Sequence, residues 1–143
     1  MRNKLTVALL FMTTVIFAQS QGVTGKWKTI DDQTGEAKSI IEIYEQGGKI
    51  YGKVIEILNP ARRKGLCQNC AGEDRNKPIL GLVVLKGLSK DGDEYDGGKI
   101  LDPQTGKVYK CLIALEEKDK LKVRGYIGFS LIGRTQYWTR IRG

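Results

Sequence analysis

The chain has 143 residues, enough for one domain with one modest core. Its 24 basic and 16 acidic side chains give a net charge of +8, and it contains no histidine. The missing imidazole excludes a Ser-His-Asp or Cys-His nucleophile system and any histidine-based zinc site, which leaves Asp, Glu, Lys and Tyr for general acid–base work.

Residues 1–20 read as a secretory signal. Arg2 and Lys4 precede a charge-free run (LTVALLFMTTVIF), and small residues follow, with cleavage expected after Ala18 or Ser20. The run falls short of the about twenty apolar residues that span a bilayer. No cysteine follows it for lipid attachment, and no later stretch reaches spanning length. The mature domain, residues 21–143, is therefore expected in the periplasm or cell envelope without a transmembrane span. Loss of Arg2 and Lys4 lowers the net charge from +8 to +6. Arg62-Arg63-Lys64 is its one run of three bases, and no helix or aromatic-basic stripe is present to read nucleic acid. Such a surface keeps a protein soluble and suits anionic envelope components.

Almost every later segment alternates with period two and ends in Gly, Asn or Asp, the pattern of half-buried strands. Strands are expected at 23–30, 38–45, 49–58, 80–88, 94–101, 107–115, 120–127 and 133–141. Tight turns such as Gln46-Gly47-Gly48 and Asp102-Pro103-Gln104-Thr105-Gly106 separate them. No helix longer than a turn is predicted. Sequential hairpins favour an all-β, single up-and-down antiparallel eight-stranded barrel, which leaves no exposed edge.

In a closed meander the first and last strands are neighbours. Gly25-Lys26-Trp27 then lies beside Trp138-Thr139-Arg140, and a guanidinium over an indole face contributes about 0.5–2 kcal/mol. Trp27, Trp138 and Arg140 are read as barrel-closing structure. A G-x-W near the start with a late arginine resembles the lipocalin and wider calycin barrels. Further segments carry a closer resemblance: Cys67-Gln68-Asn69-Cys70, Asp96-Gly97-Gly98-Lys99-Ile100-Leu101-Asp102-Pro103, Val123-Arg124-Gly125-Tyr126-Ile127-Gly128 and Gly133-Arg134-Thr135-Gln136-Tyr137. With these the chain resembles the bacterial family catalogued as domain of unknown function 2147, small exported proteins with a lipocalin-like barrel. Tyr95 stands where that family leads one to expect tryptophan. The resemblance implies a fold and a location but no established activity.

The loop that begins at Asn59 and ends at Pro78 (NPARRKGLCQNCAGEDRNKP) has no periodic pattern and is longer than ordinary connections. Its Cys67 and Cys70 admit three readings. Export to an oxidising compartment favours a local disulfide. A redox C-x-x-C needs a thioredoxin-like strand and helix, which the flanks do not offer. A structural zinc needs four ligands, and one cysteine pair without histidine supplies too few. Cys111 shares a face with Tyr109, Ile113 and Leu115, which reads as barrel interior; its pairing with Cys67 or Cys70 stays open. Asp91, Asp93 and Asp96 lack the glycine and glutamate of a calcium loop and read as a polar turn.

No catalytic residue, metal site or cofactor is predicted. Arg124 and Tyr126 share one strand face, as do Arg134 and Gln136 in the last strand. These four are the candidate ligand contacts, with an outer polar face as the alternative. The expected function is non-enzymatic binding of a small lipophilic or amphipathic molecule. The alternative is an interaction module that docks the 59–78 loop and the basic surface on an envelope protein.

Overall fold

The computed structural model describes residues 9–11, 22–128 and 132–142. Apart from residues 9–11, the expected signal and both cleavage points lie outside the described residues. Eight strands follow one another: β1 Gly25–Ile30, β2 Ala37–Gln46, β3 Lys49–Ile57, β4 Val83–Asp91, β5 Glu94–Leu101, β6 Val108–Glu117, β7 Lys120–Tyr126 and β8 Gly133–Arg140. Each pairs antiparallel with the next, and β8 returns to β1 through Trp27 opposite Arg140 and Lys28 opposite Thr139. The result is the closed up-and-down barrel that the alternation predicts.

Most expected boundaries move by one to three residues; the fourth strand runs on to Asp91 and the sixth to Glu117. The first strand starts at Gly25 rather than Val23, and the fourth at Val83 rather than Leu80. Ile79-Leu80-Gly81-Leu82 is apolar but does not alternate. It forms a turn, in which Leu82 N–H donates to the Ile79 carbonyl (3.1 Å) and Gly81 N–H to the Val54 carbonyl (2.7 Å).

Inward side chains differ in size along the barrel axis. Trp27, Ile43, Leu85, Leu88, Ile113 and Leu121 are fully buried and fill one half. That half ends in a plug. Trp27 donates its Nε1–H to the Val23 carbonyl (2.8 Å), and the Arg140 guanidinium lies 4.3 Å from the Trp27 ring centroid. Cys111 sits inside the same wall between Gly98 and Gly125, and burial pushes its thiol up to about 12. It is a free, inert filler of the core.

The long loop is ordered. Asn59 accepts the Ala61 N–H (3.0 Å) and caps a 3-10 turn at Pro60–Arg62; a second turn lies at Gly72–Asp74. Between them Leu66 pairs with Pro78, Cys67 N–H donates to the Lys77 carbonyl (2.8 Å), and Cys67 and Cys70 form a disulfide. The zinc reading of this pair and its pairing with Cys111 give way to that bond, and the flanks are 3-10 turns rather than the strand and helix of a thioredoxin-like site. Asp74 binds Lys77 within the loop and Lys86 on β4. The disulfide closes a sequence separation of only 3, so chain entropy assigns it about 2 kcal/mol. Cys67→Ala/Cys70→Ala is expected to lower the unfolding free energy by that amount, read as a fall in the urea midpoint at unchanged slope. An unchanged midpoint would leave the loop's hydrogen bonds and the Asp74 ion pairs as its restraint.

Candidate ligand cavity

The other half of the barrel is not filled. A cavity of about 580 Å³ opens at the end bearing the β1–β2, β5–β6 and β7–β8 turns. Ile41, Val54, Val84, Ile100, Val123 and Trp138 supply apolar wall, and Gly125 leaves space between them. Polar groups are few within it. Thr29 and Ser39 share a hydroxyl hydrogen bond (2.8 Å), and Tyr109 and Gln136 add a phenol and an amide to the lining. The Trp138 ring is buried, and its Nε1 has no hydrogen-bond partner among the described residues.

Charge is confined to the rim. Asp31 accepts from the backbone N–H groups of Gln33 (2.8 Å) and Thr34 (3.1 Å) and pairs with Lys38 (3.1 Å). The Gln33 N–H, then Lys38, then the Thr34 N–H hold its carboxyl at about 2. Arg134 grips Asp32 with Nε and Nη2, the latter 2.6 Å from Oδ1, and so ties the start of β8 to the β1–β2 turn. Such a fork is the strong form of an ion pair, although its exposure limits its worth.

The four candidate contacts separate. Gln136 faces inward and lines the wall, Arg134 lies at the rim, and Tyr126, the last residue of β7, reaches the lining there. Arg124 does not. Leu121 and Val123 point inward on β7, so Arg124 points outward, where Nη1 donates to Thr135 Oγ1 (3.0 Å). Of the three closing residues, Trp27 and Arg140 form the plug, while Trp138 lines the cavity. Tyr109 lies on the interior face that alternation assigns to it. The rim residues Asp31 and Arg62 carry no such signal, because a turn and a loop bring them to the mouth, where Lys38 stands at the start of β2.

The 59–78 loop also belongs to this end. Asn59 and Arg62 border the cavity, as do Pro103 and Gln104 of the β5–β6 turn, against which the loop rests. Asn69 Nδ2 donates to the Gln104 carbonyl (2.9 Å), and Cys67 Sγ lies 3.6 Å from the Pro103 carbonyl.

This architecture has a counterpart among solved structures. Protein HP1028 from the human pathogen Helicobacter pylori, which belongs to the lipocalin family, is similar with a TM-score of 0.73 at 24% identity. The match covers 83% of this chain and 82% of that one, and it carries the fold alone. No curated protein sequence matches the chain. The profile of a family described as "Uncharacterized protein conserved in bacteria (DUF2147)" matches residues 25–140. The chain therefore belongs to the DUF2147 family, with a lipocalin-like barrel as its fold.

Proposed function

We propose that this protein is an exported, non-enzymatic barrel that binds one small amphipathic molecule in the cavity at its open end. The observation that carries the reading is the cavity itself: about 580 Å³, apolar inside and charged only at the rim. Such volume and lining suit a ligand with an apolar body and a polar end. The Thr29–Ser39 hydroxyl pair, the Tyr109 phenol and the Gln136 amide line the wall and suit a ligand that carries a polar group over a bare hydrocarbon. The apolar N-terminal run with its basic start and small-residue end supports export, and the Cys67–Cys70 disulfide suits an oxidising compartment.

The envelope-docking reading of the 59–78 loop comes second. The contacts made by Asn69, Cys67 and Asp74 run to the barrel and to the loop itself, which favours a rim over a docking arm.

Filling the cavity tests the reading. A Cβ at Gly125 meets Ile100 and Tyr109 at 3.4 Å, ordinary contact, and the rest of a leucine side chain would project into the cavity. Gly125→Leu is expected to keep the far-UV spectrum and to weaken binding of a fluorescent fatty-acid probe by about tenfold or more, equivalent to 1.4 kcal/mol. Native mass spectrometry of the unsubstituted protein should show one retained molecule or one bound probe. No probe binding by the folded protein, or equal binding by Gly125→Leu, would count against the cavity as the site.

A further inference from the structure

We propose that the outer wall of β5–β8 beside the cavity mouth docks on an anionic lipid bilayer. Three apolar side chains are exposed together at that end. Val108 starts β6 (53% exposed), Ile127 follows β7 (62%) and Ile132 precedes β8 (68%). Ile127 N–H donates to the Ile132 carbonyl (3.1 Å), so these two are held side by side. Both also line the mouth of the cavity.

Lysines stand directly behind this apolar edge. Lys107 immediately precedes β6, Lys110 is opposite Tyr126, Lys99 is opposite Lys110, and Lys86 is opposite Lys99. Lys99, Lys107 and Lys110 are exposed, and none forms an ion pair among the described residues; Lys86 pairs with Asp74. The acid in the adjoining turn, Asp102, accepts the Gln104 N–H (2.9 Å) as a turn cap. Like charges directly opposite on neighbouring strands repel, and a negative surface relieves that repulsion.

The order of the groups selects the partner. An apolar tip with cations set back from it matches hydrocarbon beneath a layer of negative headgroups, whereas an acidic peptide has no use for the tip. Docking this way turns the cavity mouth toward the acyl chains, so an apolar ligand passes between bilayer and barrel without crossing water. Each lysine near an anionic leaflet strengthens binding by about fivefold. The surface stands on its own observations, and an empty cavity would leave it intact.

Vesicle flotation tests it with the chain from Gly22 onward, its folding checked by its far-UV spectrum. It contains all eight strands of the described residues and their buried core. It is expected to float with phosphatidylglycerol–phosphatidylethanolamine vesicles and not with phosphatidylcholine alone. It should be released by salt, as the Debye length falls from about 10 Å at 0.1 M to about 3 Å at 1 M. K99Q/K107Q/K110Q should weaken binding on the order of 100-fold, and I127S/I132S should weaken it while leaving the salt dependence. Failure to float, equal flotation with neutral vesicles, or an unaffected lysine variant would each overturn the proposal. So would binding to soluble polyglutamate as tight as to vesicles and indifferent to the isoleucines, which would assign the patch to acidic polymers.

Discussion

Arg140→Ala is expected to destabilise the barrel by about 3–5 kcal/mol, the range for removing one partner of a buried charged network. The guanidinium donates to three carbonyls: Gly22 (2.7 Å), Thr24 (2.9 Å) and Lys118 (3.0 Å). It also covers the Trp27 ring at 4.3 Å and lies 3.7 Å from Asp119. Truncation deprives three backbone acceptors of a donor and opens a void over the indole, so the losses fall on both sides of the β1–β8 seam. In a domain of this size the corresponding drop in Tm is on the order of 10–20 °C. Arg140→Lys keeps the charge but not the planar fork and should recover less than half of the loss. The glycine of the G-x-W motif belongs to the same assembly. Gly25 has φ +127°, and a Cβ there would approach Arg140 Nη1 to 3.0 Å. Differential scanning calorimetry decides; a loss below about 1 kcal/mol would mean that the plug is held by Trp27 packing alone. Since the plug lies away from the cavity, Arg140→Ala should retain probe affinity at temperatures where it remains folded.

The plug was legible in the sequence because it is local in each strand and its partners are the two chain ends that any closed meander must join. The strands were legible for a similar reason. Ile41 and Ile43, or Cys111 and Ile113, alternate with polar neighbours, and alternation reports which face is buried. The start of the fourth strand was misplaced where apolar residues run without alternation, at Ile79-Leu80-Gly81-Leu82. The alternation of Leu121 and Val123 with Lys122 and Arg124 already puts Arg124 outside, and the burial of Leu121 and Val123 agrees; a shared face with Tyr126 brings only Tyr126, at the strand end, to the lining. The cavity itself was out of reach. It arises because Val54, Val84, Val123 and Gly125 meet in one half of the barrel, while Trp27, Leu85 and Leu121 meet in the other. Which inward residues face one another across the barrel depends on register shifts, such as those between Ile40 and Ile41 or Tyr95 and Gly98. The Arg134–Asp32 tie, across a separation of 102 residues, is likewise a product of closure.

Gly106→Ala is the second substitution with a large expected effect, about 3 kcal/mol or more, because backbone conformation and packing both exclude a side chain there. Gly106 has φ +74°, and a Cβ would stand 1.8 Å from the Asn69 carbonyl oxygen and 2.3 Å from its carbon. Neither atom belongs to a flexible side chain, so either the β5–β6 turn or the disulfide loop must move. Gly48 provides the control. It has nearly the same backbone (φ +76°) with nothing within 4 Å of a built Cβ, so Gly48→Ala carries the conformational cost alone, about 1 kcal/mol. The difference between the two variants measures how tightly the loop rests on the turn. It also has a functional reading. Pro103 and Gln104 line the cavity; the Gln104 carbonyl accepts from Asn69 of the loop, and Cys67 Sγ packs 3.6 Å from the Pro103 carbonyl. Lifting the loop therefore deforms one side of the mouth, and Gly106→Ala should weaken probe binding where Gly48→Ala, in a turn at the plugged end, does not. Urea midpoints and probe titrations on the two variants separate the outcomes. Equal destabilisation would show that the loop contributes nothing through this contact. Unequal destabilisation with equal affinity would make the loop a staple for the barrel wall rather than part of the ligand's doorway.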